Sequence, residues 1–123
     1  MKFYKCPVCG QIVEKIKDKN IPIMCCGKVM EEVPANTVEA STEKHIPIIN
    51  MEKNVASIEV GSIAHPMEEA HYIEFIYVVT NKGNYRYNLK PNDEAKITLV
   101  LSDNEKIMSA YAYCNLHGLW KAE

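Results

Sequence analysis

Four of the five cysteines lie within the first 26 residues, in two short motifs. Cys6 and Cys9 form a Cys-x-x-Cys pair, and after fifteen intervening residues Cys25 and Cys26 are adjacent. A Cys-x-x-Cys turn brings two thiolates to one ion, and four thiolates in a tetrahedral array suit zinc or a single iron. Two disulfides, or one redox pair with two further cysteines, are the alternatives that the spacing leaves open. We expect a metal, because so short a segment has too few apolar residues for a core of its own.

The fifth cysteine, Cys114, lies three residues before His117, and the chain has only three further histidines, His45, His65 and His71. Cys114 and His117 can chelate one ion from a single turn, since imidazole and thiolate are both good ligands for transition metals. Taken singly, each histidine could equally be a surface or hydrogen-bonded side chain. Taken together, four imidazoles and one thiolate leave a sixth position open on an iron ion, and an open position indicates catalysis.

The segment that carries the four clustered cysteines, residues 1–36, is poor in large apolar side chains. Isoleucine and valine between residues 12 and 23 predict at most a short hairpin around residues 18–20. Residues 33–37 predict a hinge into the rest of the chain. We therefore expect a small metal-stapled domain over residues 1–36 and a larger domain over residues 37–123.

The larger part has the pattern of strands, separated by turn residues at close and regular spacing. In residues 85–90 large apolar side chains alternate with polar ones, which is the period of a strand with one buried face. Content of β-branched and aromatic residues predicts strands over residues 72–80, 95–101 and 107–113, and more weakly over Val55–Val60. No segment predicts a helix. The fold class is therefore all-β, a sandwich or a barrel.

The charge balance and the apolar stretches exclude some classes of protein. With 14 basic and 16 acidic residues the net charge is -2 at pH 7, whereas a nucleic-acid-binding protein normally has a basic excess. The apolar stretches are too short to span a membrane. The N-terminal residues lead directly into the first cysteine motif, without the apolar segment of a signal peptide. We therefore expect the protein in the cytoplasm.

The cysteine pattern resembles desulforedoxin and the N-terminal domain of desulfoferrodoxin, in which four thiolates hold a rubredoxin-like iron. The histidine segments resemble the catalytic domain of superoxide reductase, in three motifs and in their order. The motifs are Glu43-Lys44-His45-Ile46-Pro47, His65-Pro66-Met67 followed by His71, and Cys114-Asn115-Leu116-His117-Gly118-Leu119-Trp120. Phe75 stands where many relatives have tryptophan, a departure that affects no ligand.

This resemblance implies a desulforedoxin-like domain followed by an immunoglobulin-like β-sandwich, with two iron ions per chain. One iron would be bound by four cysteines, and the other by four equatorial imidazoles with a thiolate in the axial position. The implied ligands are Cys6, Cys9, Cys25 and Cys26 for the first iron, and His45, His65, His71, His117 and axial Cys114 for the second. The implied reaction is the one-electron reduction of superoxide to hydrogen peroxide without release of oxygen, which detoxifies a reactive oxygen species.

Two residues before the first histidine are implied in catalysis. Lys44 would attract superoxide, and Glu43 matches a glutamate that can occupy the sixth position of the oxidised iron, although each could be an ordinary solvated side chain. Backbone N–H groups of residues 115–117 are expected to donate to the Cys114 sulfur. The resemblance further implies rubredoxin as electron donor, and a homodimer. An electron-transfer protein that uses the four-cysteine iron, a zinc-binding interaction module and a dismutase remain alternatives.

Overall fold

The computed structural model describes residues 2–123 and divides the chain into two compact units. The first unit ends at Pro34 and the second is Ala35–Glu123, so the division lies within residues 33–37. All paired strands are antiparallel. Among residues 2–123, no helix is long and apolar enough to cross a membrane.

The first unit consists of a three-stranded sheet and a separate two-stranded hairpin. Its strands are β1 (Phe3–Lys5), β2 (Ile12–Glu14), β3 (Met24–Cys25), β4 (Lys28–Val29) and β5 (Glu31–Glu32). The sheet has the order β2-β1-β5, and β3 pairs with β4. Among its described residues only Phe3, Cys6 and Met30 are buried hydrophobic side chains, so this unit has no extended core.

The predicted hairpin around residues 18–20 is wrong, because β2 pairs with β1 and the stretch between β2 and β3 is irregular. The Asp18 carboxylate organises this stretch as a loop. It accepts hydrogen bonds from the Asn20 N–H at 2.8 Å and from the Lys15 ammonium at 3.1 Å. Ile16 is 97% exposed there, and a β-branched residue with no surface to pack against gains little from a strand.

The second unit is a sandwich of two sheets, with a short helix before its first strand. Its elements are α1 (Thr42–His45), β6 (Pro47–Glu52), β7 (Val55–Val60), β8 (Ile73–Thr80), β9 (Asn84–Asn88), β10 (Lys96–Val100), β11 (Ile107–Cys114) and β12 (Gly118–Ala122). One sheet has the order β10-β7-β6, and the other has the order β12-β11-β8-β9. Sheets of three and four antiparallel strands match an immunoglobulin-like sandwich. The predicted all-β fold is confirmed, and all five predicted strands are present, whereas β6 and β12 were not predicted.

The core of the sandwich forms where the inner faces of the two sheets meet. Along β10, Ile97 and Leu99 are buried and their neighbours in the strand are exposed, as the period of two requires. The buried cluster consists of Ala56, Ile58, Val60, Ile73, Ile76, Val78, Ile97, Leu99, Leu101, Ala110, Ala112 and Cys114. Cys114 ends β11, so the core extends to a residue of the predicted catalytic site.

The prediction that the chain has no helix is wrong for a single turn, α1. Its Ile46 N–H donates to the Thr42 carbonyl at 3.0 Å, and Pro47 then begins β6. Four residues are too few to produce a periodic pattern in the sequence. This turn nevertheless matters for the site, because it carries Glu43, Lys44 and His45.

Candidate metal centres

The four clustered cysteines of the first unit converge, with all four sulfur atoms within 4.8 Å of one another. The Cys9 and Cys25 sulfurs are 3.7 Å apart, and the Cys25 and Cys26 sulfurs are 4.0 Å apart. These separations are far beyond a disulfide bond of about 2.05 Å. Four sulfurs bound tetrahedrally at about 2.3 Å would be about 3.8 Å apart. The arrangement therefore fits one tetrahedral ion and contains no disulfide bond among these four cysteines.

Backbone turns bring these sulfurs together. The N–H groups of Val8 and Cys9 both donate to the Cys6 sulfur at 3.4 Å. At the other motif, Cys26 and Gly27 have φ values of 51° and 71° between β3 and β4, as in a type I′ hairpin turn. A glycine tolerates this conformation without strain, which explains why Gly27 follows the cysteine pair.

The protonation of these thiols indicates that a cation belongs between them. The Cys9 N–H lowers the pKa of Cys6 to about 6, which favours a thiolate there. Hydrogen bonding with Cys6 raises the pKa of Cys25 to about 12, and hydrogen bonding with Cys9 raises the pKa of Cys26. Four sulfurs in one small volume cannot all be thiolates unless a positive charge compensates their repulsion. A bound metal ion supplies that charge.

The second group of donors lies at one end of the sandwich, where strand ends and loops meet. Cys114 ends β11, and His117 lies in the turn before β12. His71 lies two residues before β8. Because β8 runs antiparallel to β11, the start of β8 lies beside the end of β11, and His71 reaches the same end of the sheet as Cys114. His45 precedes β6, and His65 follows β7, at the corresponding end of the other sheet.

The four imidazole rings form a closed cycle. The centroid distances are 4.6 Å for His45–His65, 4.8 Å for His65–His71, 5.0 Å for His71–His117 and 4.9 Å for His117–His45. Neighbouring rings are inclined by 75° to 88°, so that each turns its edge toward the next. A closed cycle of four mutually inclined rings is compatible with four imidazoles that bind one central ion.

Hydrogen bonds establish the tautomers of two of these rings. The Nδ1 atoms of His45 and His65 lie 2.6 Å from the carbonyl oxygens of Ser41 and Pro66, so each Nδ1 carries the proton and donates it. Burial lowers the pKa of His45, and it lowers the pKa of His65 to about 4, so both rings are neutral at pH 7. Both Nε2 atoms are therefore unprotonated.

These two Nε2 atoms lie 3.1 Å apart, although neither has a proton to share. Two lone pairs at this distance repel each other in the absence of a cation between them. Metal–nitrogen bonds of about 2.0–2.1 Å at a right angle place their nitrogens about 3 Å apart. The pair thus has the spacing of two adjacent ligands of one metal ion.

The other two histidines complete the set. His71 Nε2 is buried and has no hydrogen-bond partner among the described residues, and an orphaned buried nitrogen is otherwise costly. His117 turns its Nδ1 toward the group, at 3.1 Å from His45 Nε2 and 3.8 Å from the Cys114 sulfur. The donor atoms of His45, His65, His71 and Cys114 all lie within 4.8 Å of one another.

Cys114 is fully buried, and this burial raises the pKa of its thiol. The N–H groups of His117 and Leu116 act in the opposite direction and stabilise a thiolate. The prediction that residues 115–117 donate to this sulfur is therefore confirmed for two of them and wrong for Asn115, whose N–H donates to the Tyr72 carbonyl at 3.2 Å.

Lys44 and Glu43 both lie on α1 directly before His45, and both are exposed. The Ser41 hydroxyl donates to the Glu43 carboxylate at 3.3 Å. The Lys44 charge is near enough to lower the pKa of His45, although burial of the ring contributes more. Lys44 is thus an exposed cationic side chain next in sequence to a buried imidazole.

Two further residues of the site were quoted in the sequence motifs, but their side chains were given no role. The Trp120 indole stacks on the His45 ring at 4.8 Å, inclined by 25°, and its N–H donates to the His117 carbonyl at 3.0 Å. The Asn115 side chain bonds to the backbone on both sides of His71. Both lie within five residues of a predicted ligand, which was the available signal.

Comparison with known proteins supports the same interpretation of the two centres. The family described as desulfoferrodoxin matches residues 37–123. A desulfoferrodoxin homolog of Archaeoglobus fulgidus is 46% identical over 99% of this chain and 96% of its own length. A desulfoferrodoxin of Syntrophotalea carbinolica is 41% identical over 100% of this chain and 96% of its own length.

Among solved structures, the superoxide reductase from Treponema pallidum superposes with a TM-score of 0.83 at 30% identity, covering 99% of this chain and 98% of that one. The similarity therefore extends over both units. On these grounds the chain belongs to the desulfoferrodoxin family.

Proposed function

We infer that this chain is a superoxide reductase, which converts superoxide to hydrogen peroxide with one electron and two protons and releases no oxygen. The observation that carries this function is the facing pair of unprotonated Nε2 atoms, those of His45 and His65, at 3.1 Å within the ring of imidazoles. Family membership and the solved superoxide reductase from Treponema pallidum support the same activity.

Two iron ions per chain serve this function, one at the four-cysteine group and one at the group of histidines with Cys114. We propose Cys6, Cys9, Cys25 and Cys26 as ligands of the first, and His45, His65, His71, His117 and Cys114 as ligands of the second. When bound, the second iron supplies the electron and the coordination position that five protein donors leave open.

Contacts within the protein set the electron donation of the cysteine ligand and the protonation of the histidine ligands of this centre. The Cys114 thiolate donates electron density, and the N–H groups of Leu116 and His117 moderate that donation through their hydrogen bonds to sulfur. His45 and His65 keep their Nε2 lone pairs directed inward because their Nδ1 protons are held by carbonyl oxygens. Burial of both rings keeps them neutral, so that protons do not compete with the metal at pH 7.

We propose that Lys44 attracts the superoxide anion. Lys44 is exposed, directly precedes His45, and its charge acts on the His45 ring, and a cation near an open position raises the local concentration of an anionic substrate. Replacing it, as in Lys44→Ala, should lower the second-order rate of superoxide consumption by about 10-fold or more at low salt. The salt dependence of that rate should weaken at the same time, because a screened attraction has been removed.

Lys106→Ala is the matched control for that experiment. Lys106 is also exposed, but it precedes the start of β11, whereas the site lies at the end of this strand. Superoxide consumption by the two variants would be followed by stopped-flow absorbance or pulse radiolysis. Equal rates for Lys44→Ala and Lys106→Ala would contradict the role of Lys44.

We propose that Glu43 occupies the open position of the oxidised centre. Its carboxylate is exposed and is bound only by the Ser41 hydroxyl among the described contacts, so it is free to move. Glu43→Gln should change the visible absorption spectrum of the oxidised protein and leave that of the reduced protein unchanged. An unchanged spectrum of the oxidised protein would contradict this role and leave Glu43 as an ordinary solvated side chain.

The activity itself is tested by product balance on iron-replete protein with an excess of electron donor. A reductase forms one molecule of hydrogen peroxide per superoxide and no oxygen. A dismutase forms one molecule of peroxide and one of oxygen from two superoxide anions and needs no donor. Oxygen evolution, or the absence of superoxide consumption by protein with both irons bound, would overturn the proposed function.

We propose that residues 1–36 and 37–123 are separate domains, and that the four-cysteine iron has a secondary role as electron relay or structural staple. Cys9→Ser should release the first iron while superoxide consumption with a chemical reductant continues. Loss of that consumption, with the second iron still bound, would make the first centre essential. Rubredoxin is the electron donor we propose, and its oxidation by the protein in the presence of superoxide tests it.

We also propose a homodimer in the cytoplasm. The first unit exposes apolar side chains that have too little core of their own to pack against, among them Ile16, Ile21, Met24 and Val29. A second copy of the chain would cover such a surface. Analytical ultracentrifugation should give twice the chain mass, and Ile16→Lys should reduce it, whereas a monomer in the parent protein would contradict the dimer.

A further inference from the structure

His71 is a histidine of the site whose ring has no hydrogen bond to a backbone carbonyl among the described residues. The rings of His45 and His65 are oriented by their Nδ1 bonds to carbonyl oxygens. Among residues 2–123, no such bond orients the ring of His71, and its Nε2 is buried without a partner. Metal-binding histidines almost always have a hydrogen-bonded second nitrogen, which raises the question of what positions this ring.

The Asn115 side chain holds the chain on both sides of His71. Its Oδ1 accepts the Tyr72 N–H at 3.0 Å, and its Nδ2 donates to the Ala70 carbonyl at 3.0 Å. The orientation of the amide is unambiguous, because oxygen faces a donor and nitrogen faces an acceptor. The Asn115 N–H adds a third bond, to the Tyr72 carbonyl at 3.2 Å.

We propose that Asn115 is a positioning residue that places His71 for metal binding by clamping the peptide groups on either side of it. Asn115 directly follows Cys114, so the same clamp sets the distance between the loop that carries the thiolate and the loop that carries the imidazole. Among the described residues, the backbone of His71 itself bonds only to Glu68, with bonds of 2.9 and 3.0 Å within its own loop. This proposal rests on the proposed function, since it takes His71 to be a ligand of the catalytic iron.

The chain contains a second clamp of the same kind, remote from the site, which serves as a matched control. Asn81 Oδ1 accepts the Lys106 N–H at 2.7 Å, and its Nδ2 donates to the Asn104 carbonyl at 2.9 Å. The Asn81 N–H donates to the Lys106 carbonyl at 3.1 Å. This clamp encloses Glu105, which lies near the start of β11 instead of its end.

The test compares Asn115→Ala with Asn81→Ala in protein purified with both irons bound. Release of each iron to a chelator after reduction is followed by its own absorption, so the four-cysteine iron is an internal reference. Loss of an outer partner of a metal ligand typically weakens metal binding about 10–100-fold. Asn115→Ala should therefore release the second iron about 10–100-fold faster than the parent protein, with release of the first iron unchanged.

Asn81→Ala should lower the Tm by an amount similar to Asn115→Ala, since it removes the same bonds, and should leave release of both irons at the parent rate. Asn115→Asp keeps an acceptor for the Tyr72 N–H but cannot donate to the Ala70 carbonyl, so it too should release the second iron faster. This near-isosteric variant decides the question alone if Asn115→Ala does not fold.

Release of the second iron within twofold of the parent in the Asn115 variants would overturn the clamp, as would equal acceleration in Asn81→Ala. A parent protein that binds no second iron would instead overturn the proposed function, so the two failures are distinguishable. A stability role alone would lower the Tm without separating the release rates of the two irons.

Discussion

Replacement of Gly61 by alanine is the substitution for which the structure gives the most direct magnitude. Gly61 is buried in the loop after β7, where it packs against the backbone of α1. A Cβ at this position would lie 2.5 Å from the Glu43 carbonyl oxygen and 3.0 Å from the Lys44 carbonyl carbon. The same loop binds α1, since the Ile63 N–H and the Ser62 hydroxyl donate to the Glu43 carbonyl at 2.9 and 3.3 Å.

The required displacement follows from these distances. Ordinary van der Waals contact of a Cβ begins near 3.4 Å, so the 2.5 Å contact must lengthen by 3.4 − 2.5 = 0.9 Å. The neighbour is backbone and cannot rotate away, so α1 must move and take Lys44 and His45 with it. A displacement of about 1 Å at a catalytic group can lower the rate about 100-fold, and overpacking typically costs about 1–3 kcal/mol.

We therefore expect Gly61→Ala to lower the rate constant of superoxide consumption by about 10- to 100-fold and to lower the free energy of unfolding by about 1–3 kcal/mol. Stopped-flow kinetics and urea denaturation measure the two effects. Gly83→Ala is the control, because a Cβ at Gly83 would meet nothing within 4 Å and this glycine lies in the turn between β8 and β9, away from the site. A Gly61→Ala protein as active and as stable as Gly83→Ala would refute the reasoning.

Three further predictions concern other parts of the chain. Trp120→Phe should keep a ring against His45 but lose the bond to the His117 carbonyl, lowering the free energy of unfolding by about 1 kcal/mol in a urea titration, and a parent-like value would contradict this. Hydrogen bonds from the Thr80 and Tyr85 hydroxyls and from Ser102 lower the pKa of Glu105 to about 2, so its stabilising effect is complete above its ordinary pKa near 4.5 and is lost as the pH falls from there toward 2. The Tm difference between the parent and Glu105→Gln should therefore shrink over that range, and a constant difference would exclude the ionised carboxylate as its cause. Removal of the first iron by a thiol-specific chelator should increase amide hydrogen exchange in the first unit and leave that of the sandwich unchanged, whereas unchanged exchange in both would show that the metal does not hold this unit.

The predicted ligands could be recognised in the sequence because they are cysteines and histidines, residue types that few other roles require. Cysteine and histidine are uncommon, and motifs such as Cys-x-x-Cys encode a turn as well as two donors. The five predicted strands were recognisable for a similar local reason, since residues such as Ile97 and Leu99 alternate with exposed neighbours. Where the structural cause lies within a few consecutive residues, the sequence was sufficient.

The missed elements had weak local patterns. β6 has one buried residue, Pro47, followed by mostly exposed ones, and β12 has two adjacent buried residues, Leu119 and Trp120, so neither shows clear alternation. Both strands lie at a sheet edge, where one side lacks a neighbouring strand. The false hairpin had the opposite cause, because its isoleucines have a high strand propensity but no face to bury them.

Long-range relations within the site could not be predicted at all. The close approach of Gly61 to α1 joins residues 18 positions apart, since it lies against Glu43. The Asn115 clamp joins residues 43 and 45 positions apart. The tautomers of His45 and His65 depend on which carbonyl oxygens the folded loops present, so they are properties of the tertiary structure.

The two centres therefore differ in what organises them. In the first unit few side chains are buried and the sulfurs repel one another as thiolates, so the metal ion must contribute to holding the chain. In the second unit the donors stand on a sandwich with its own core, and Cys114 belongs to that core. Carbonyl oxygens orient His45 and His65, and the Asn115 clamp restrains the loop of His71. The donors of the second centre are therefore positioned by protein contacts before any metal binds, so that metal binding would require little rearrangement of these side chains.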